Sequence, residues 1–202
     1  MMGFARPRPP SNTALHATVV LAQGAAGAVF EIDLWPGEGR PRVVAAGGMI
    51  QPRVEPSSQA AAMQPVRVTK SQSIAFGKTL CRTIRAGQLR ASATTTITGR
   101  RLGPILHLSR DDYYSGGYAT SSVPVAAGET IEYLQYRAEG TCFVRVHGDV
   151  IDADLCPLED RKGFVLEAQP QTEWWIERLV NGRSQGWLLV DGKNVKESGR
   201  TF

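Results

Sequence analysis

The stretch 128–157, GETIEYLQYRAEGTCFVRVHGDVIDADLCP, constrains this chain most. Cys142, Val144 and Val146 fall on one face of an extended strand, and Phe143, Arg145 and His147 on the other. His147-Gly148-Asp149-Val150 then offers Gly at the first central position of a two-residue loop. A type II′ hairpin turn wants Gly there, because Gly reaches positive φ without a Cβ clash. Counting outward from His147 opposite Val150 sets Thr141 against Cys156 and Cys142 against Leu155. A three-residue loop instead sets Cys142 directly against Cys156. Either register leaves the sulfurs close enough for a Cys142–Cys156 bridge, given an oxidising compartment. The alternative is two small buried thiols.

The rest of the chain has the same texture. It is 202 residues long, with 21 Gly and 12 Pro punctuating short alternating runs. Such a chain buries a real core, and without long helical periodicity it is expected to be all-β. No run approaches the roughly 18 apolar residues that a membrane span needs. Residues 1–28 read as a signal peptide or disordered leader: Arg6 and Arg8 are the only charges, and Ala26-Gly27-Ala28 has the form of a cleavage site. Its removal leaves 21 basic and 19 acidic groups, a net charge of +2. That is too weak a balance to imply a nucleic-acid partner.

In chain order, 29–35 (VFEIDLW) reads as a strand, with 42–45 returning along it. The Ala-rich 59–63 is expected to make one helical turn. An internal repeat follows: 66–76 matches 123–133 at an offset of 57, and Cys81 with Gly87 matches Cys142 with Gly148. No cysteine in the first copy answers Cys156, so Cys81 is the odd thiol, buried or free for an intermolecular bond. From 173 to 190 a Trp-rich hairpin turns on Asn181-Gly182, a pair suited to a type I′ turn. Residues 193–202 read as a polar tail.

Trp175, Ile176, Asn181-Gly182 and Gly186-Trp187 carry a resemblance to bacterial SH3-like domains, and residues 53–58 are similar to that family's opening segment. Two departures stand out: Cys142-Phe143 replaces the usual Trp-aromatic pair, and the last unit is too short to close a barrel alone. The resemblance implies tandem small SH3-like barrels joined by short turns, with an extra C-terminal hairpin. The expected units are 29–100, 101–160 and 161–202, the last packed on the second. It further implies Trp187 in a core, and a binding role in the bacterial envelope.

Chemical motifs are sparse. Gly77-Lys78-Thr79 lacks the earlier Gly of a phosphate loop, since Gln72 stands there. Asp149, Asp152 and Asp154 lack the order of a calcium loop and read as solvated strand and turn carboxylates. His16, His107 and His147 fit no metal spacing, and there is no Cys-x-x-Cys or Gly-x-Ser-x-Gly. Neither catalytic residues, a metal nor a cofactor is therefore expected.

What remains is aromatic. Tyr113, Tyr114 and Tyr118 crowd a Gly-rich loop, where Tyr offers stiff contact area with a polar tip. The competing reading tucks Tyr113 or Tyr114 into the core. Trp174 and Trp175 point to opposite strand faces, so one is expected to be exposed or to cover a neighbouring unit, and both are counted with the three tyrosines as candidate binding residues. The chain is read as a non-enzymatic, periplasmic or secreted binding protein for peptidoglycan or an envelope protein. The alternatives are a protein inhibitor or immunity factor, and an enzyme with no recognisable motif.

Overall fold

The structure, a computed structural model, describes residues 29–154, 156 and 163–201. The proposed leader and its cleavage site lie outside the described residues. Strands come first and nearly throughout: β1 (Phe30–Ile32), β2 (Arg40–Ala45), β3 (Gly48–Ile50), β4 (Val66–Val68), β5 (Phe76–Arg85), β6 (Gly87–Ala91), β7 (Thr95–Gly103) and β8 (His107–Leu108). Among the described residues one short helix, α1 (Arg110–Ser115), interrupts them. Then follow β9 (Thr120–Val125), β10 (Thr130–Tyr136), β11 (Cys142–Val146), β12 (Asp149–Ala153), β13 (Phe164–Ala168), β14 (Gln171–Val180), β15 (Arg183–Leu189) and β16 (Val195–Thr201). The fold is all-β, as the alternation and turn residues require.

Two large sheets dominate. One has five strands in the order β15-β14-β5-β1-β8, the other seven in the order β13-β6-β10-β11-β12-β7-β9. Their facing sides enclose one core, in which Phe30, Ile32, Cys81, Trp174 and Ile176 meet Leu102, Leu134, Phe143 and Val150. Thr83 ties the two sheets by donating its hydroxyl to the Leu134 carbonyl (2.9 Å), and Arg145 reaches the Val29 carbonyl (2.8 Å). A second core lies on the other side of the seven-stranded sheet around Leu89, Ile97, Val144 and Ile151. Val123 and Val125 from one edge strand, and Phe164 and Leu166 from the other, join it. Both edges reach one cluster, so this twisted sheet curls toward itself.

The hairpin at the heart of the sequence forms in a different register. His147 (φ 51°) and Gly148 (φ 90°) are the two loop residues, and Val146 faces Asp149. Two positive φ values make the I′ form, whose twist suits the flanking strands, and His is among the residues that tolerate it. Cys142 thus faces Ala153. The displacement is by two positions, so every side chain keeps its face. Cys156 lies beyond the end of β12 and bonds Cys142 with Cα atoms 5.0 Å apart. Its amide donates to the Gly140 carbonyl. Cys81 is buried and unbonded to sulfur.

Several expectations are corrected by strand pairing. The 42–45 strand does not return along β1; β2 pairs with β16, which is the supposed polar tail. Val195 is buried there, so one apolar residue anchors an otherwise polar strand. Residues 59–63 form a turn and a bridge from Ala62 to Arg53, with no helical turn. The C-terminal hairpin lies on the first unit: β14 pairs along β5 from Arg85 to Phe76. Meanwhile β6 pairs with both β10 and β13, so main-chain bonds cross the expected boundaries after 100 and 160. The two repeat copies are also used differently, since β5 lies in the five-stranded sheet and β10 in the seven-stranded one.

Candidate functional site

The Tyr-rich segment is a helix and not an open loop. Ser109 caps it: its hydroxyl accepts from the Asp112 amide (3.0 Å) and donates to the Asp112 carboxylate (2.7 Å). Asp111 and Asp112 in the first turn suit the positive end of the helix. Gly116 closes the other end, where its amide bonds the Asp112 carbonyl. The cap signal lay in Ser109-x-x-Asp112, partly hidden by the short length and by Gly116-Gly117.

Helical spacing sorts the tyrosines. Arg110 and Tyr114, four apart, share one face. The Arg110 guanidinium stands 5.3 Å from the Trp35 ring and 5.8 Å from the Tyr114 ring. Tyr114 is 66 % exposed. Tyr113 turns inward, edge-on to Phe143 with centroids 6.3 Å apart. Tyr118 is partly buried against the same core. Trp174 and Trp175 are both interior, so of the two alternatives the covering one holds, and neither offers the exposed contact face expected of a binding residue. Each face of β14 is covered, and each indole N–H finds an acceptor: Thr79 Oγ1 at 2.7 Å for Trp174 and Glu173 Oε2 at 2.8 Å for Trp175. Trp187, expected in the core, is only half-buried. Arg53 bridges its backbone in both directions at 2.8 Å, and Gly186 makes that approach possible, since a Cβ there would stand 2.7 Å from the Arg53 carbonyl.

Two clefts of about 480 Å³ each flank α1. The first is lined by Asp33, Pro56, Lys78, His107, Arg110 and Trp187. His107 sits between Glu31 and Asp33, 3.5 Å from each carboxylate, and Glu31 is itself paired with Arg82 at 2.6 Å. The second cleft is lined by Arg100, Arg137, Asp152, Tyr113 and Tyr114, with Asp154 also on its wall. The helix therefore supplies Arg110 to one cleft and both tyrosines to the other.

The floor of the second cleft is an ion-pair network. Asp152 is buried, correcting its reading as a solvated carboxylate. Arg100 donates twice to Asp152 Oδ2, at 3.1 and 2.6 Å, and once to the Tyr113 carbonyl at 2.9 Å. Arg137 donates to Thr141 Oγ1 at 3.0 Å and to the Tyr113 hydroxyl. Both guanidinium groups stack on the Tyr113 ring, 4.4 and 5.4 Å from its centre. Burial first, and the Asp152 charge second, push the Tyr113 phenol above its ordinary value, so it stays a hydroxyl near neutral pH. Burial pulls Arg100 down, but its bond and attraction to Asp152 outweigh that and raise it. Gly99 is required beside this pair, because a Cβ there would run into the Asp152 carbonyl oxygen. Sequence reasoning missed Arg100, Arg137 and Asp152 as a group, since they come from three strands or their ends.

Among the described residues no group of three or more His, Cys, Asp or Glu side chains is placed to hold a metal ion. No described helix is long and apolar enough to cross a membrane. No protein-family model matches this chain, and neither a curated protein nor a solved structure matches it.

Proposed function

We propose that this chain is a non-enzymatic, exported binding protein whose ligand lies across α1 from one cleft to the other. The observation that carries this is Tyr114: a large aromatic, 66 % exposed, held on a capped helix between two clefts. A rigid aromatic ridge gives contact area at little entropic cost, and half-buried Trp187 offers a second apolar wall. Arg110, Lys78 and Asp33 add polar partners in the first cleft.

The Cys142–Cys156 bond supports an oxidising compartment, hence the periplasm or the cell exterior. The SH3-like resemblance of the C-terminal hairpin favours cell-wall material or an envelope protein as the ligand; it is a fold-level analogy. The second reading, an inhibitor or immunity factor, rests on the same ridge acting as a plug in another protein's site.

Sedimentation with insoluble peptidoglycan tests the first reading. Retention of the native chain, weakened in Tyr114→Ala, supports wall binding. Passage through peptidoglycan, with one stoichiometric protein captured from an envelope extract, overturns it in favour of the inhibitor reading.

A further inference from the structure

We propose that the second cleft is a carboxylate subsite, in which Arg137, with the charge of Arg100 beside it, holds an anionic end of the ligand next to Tyr114. This rests on the binding-protein reading above and names the chemistry of one part of that ligand. The floor carries two guanidinium groups against one buried carboxylate, Asp152. Arg100 is committed to Asp152 and to the Tyr113 carbonyl. Arg137 is less constrained. Its Nε stands 3.5 Å from Asp152 Oδ1, and that oxygen accepts no hydrogen bond among the described residues. Arg137 is thus attracted to Asp152 without being hydrogen-bonded to it, while its contact with the Tyr113 ring and hydroxyl holds it in place.

A guanidinium carries five N–H donors. Thr141 and the Tyr113 hydroxyl take two from Arg137, so its outer edge keeps donors with no acceptor among the described residues. About a third of the side chain of each arginine is exposed, so these donors open on the cleft. A planar guanidinium edge matches a carboxylate in paired, charge-assisted bonds. The charge decides between oxyanions. Two arginines and Asp152 leave one positive charge, and Asp154 at the wall lowers it further. The floor alone is balanced by a monoanionic carboxylate, and with Asp154 counted the lining is neutral, so a single negative charge is tolerated better than a phosphate dianion. Such a carboxylate could belong to a peptide carboxy terminus or to a sugar acid, and the two are separable by experiment.

The test measures binding to the full chain by calorimetry or by NMR shifts, with N-acetylalanine, its amide, N-acetylmuramic acid and inorganic phosphate as probes. The expected result is that one or both acids bind in the millimolar range, with the amide and phosphate at least about tenfold weaker. The stronger of the two acids identifies the source of the carboxylate. Arg137→Gln should lower acid binding by about tenfold or more. Because Arg137 also holds Tyr113, a second variant keeps both arginines: Thr120→Glu, directly across the strand pair from Arg100, puts a carboxylate at the exposed mouth of the cleft and should compete with the acid. Equal binding of acid and amide, tighter binding of phosphate, or no effect of Thr120→Glu would overturn the subsite. If neither acid binds while the chain still sediments with peptidoglycan, the subsite fails and the wall-binding reading stands.

Discussion

The rings of Phe30 and Phe143 meet with centroids 5.2 Å apart and tilted by 47°, joining the five-stranded sheet to the seven-stranded one. Both side chains are almost fully buried, and Phe143 projects from the strand whose opposite face carries the disulfide. Phe143→Ala should therefore cost about 3–5 kcal/mol, the range for deleting a buried aromatic. Urea unfolding with a common slope for both proteins measures it. A loss comparable with that of a surface change would mean that the two sheets do not share this core.

The disulfide and the remaining thiol make a paired prediction. Fourteen positions separate Cys142 from Cys156. The chain-entropy model gives about 3 kcal/mol for a loop of that size, an upper figure where the hairpin already restrains the unfolded ends. The Cys142→Ala/Cys156→Ala double variant should lose up to that amount. Cys81 should resist maleimide in the folded protein, because burial pushes its thiol up to about 12. Thiol counting should find none reactive when native, one after denaturation and three after denaturation with reduction.

Trp174 and Trp187 should behave oppositely. Trp174→Ala removes a buried indole and the hydrogen bond it donates to Thr79, whose hydroxyl keeps its own bond to the Trp175 carbonyl, so a loss of about 3–5 kcal/mol is expected. Trp187→Ala, half-buried at the cleft wall, should cost no more than about 2 kcal/mol and weaken ligand retention. Thermal melts and peptidoglycan sedimentation read the two effects separately. Retention unchanged in Trp187→Ala would remove the first cleft from the binding face.

Tyr114→Ala should change stability by no more than about 0.5 kcal/mol, as exposed substitutions usually do. Its effect should appear in binding instead. A protein that melts much earlier would make Tyr114 a structural residue.

Asp191 predicts an acid-side loss of stability. Burial pulls its carboxyl up, but hydrogen bonds from the amides of Val195, Lys193 and Asn194 outweigh that and hold it below the ordinary Asp range. A group lowered on folding contributes fully above its unfolded value, about pH 4, and the contribution fades as pH falls through the lowered folded value. These bonds shape the turn that leads into β16. Asp191→Ala should cost about 1 kcal/mol at pH 7, as for a lost capping carboxylate, and less at pH 2. Melting curves at the two pH values check the sign.

The sequence by itself determined the local structure. Alternation and turn residues set the strands, Asn181-Gly182 set the last hairpin, and the Cys142–Cys156 pairing followed from short-range geometry even though the turn fell one residue earlier. These outcomes depend on interactions among residues a few positions apart, which a linear reading contains. Tertiary structure decided which strands become neighbours. Period-two alternation specifies that a strand has two faces, and it is silent on whether one or both are covered. Phe143, Trp174 and Trp175 were therefore placed only by packing. The same limit hid β16, where a single buried valine and a partner about 150 positions away turn a polar segment into a strand. It also hid the Arg100–Asp152–Arg137 network, because charges distant in sequence acquire their meaning only when the fold removes water from between them.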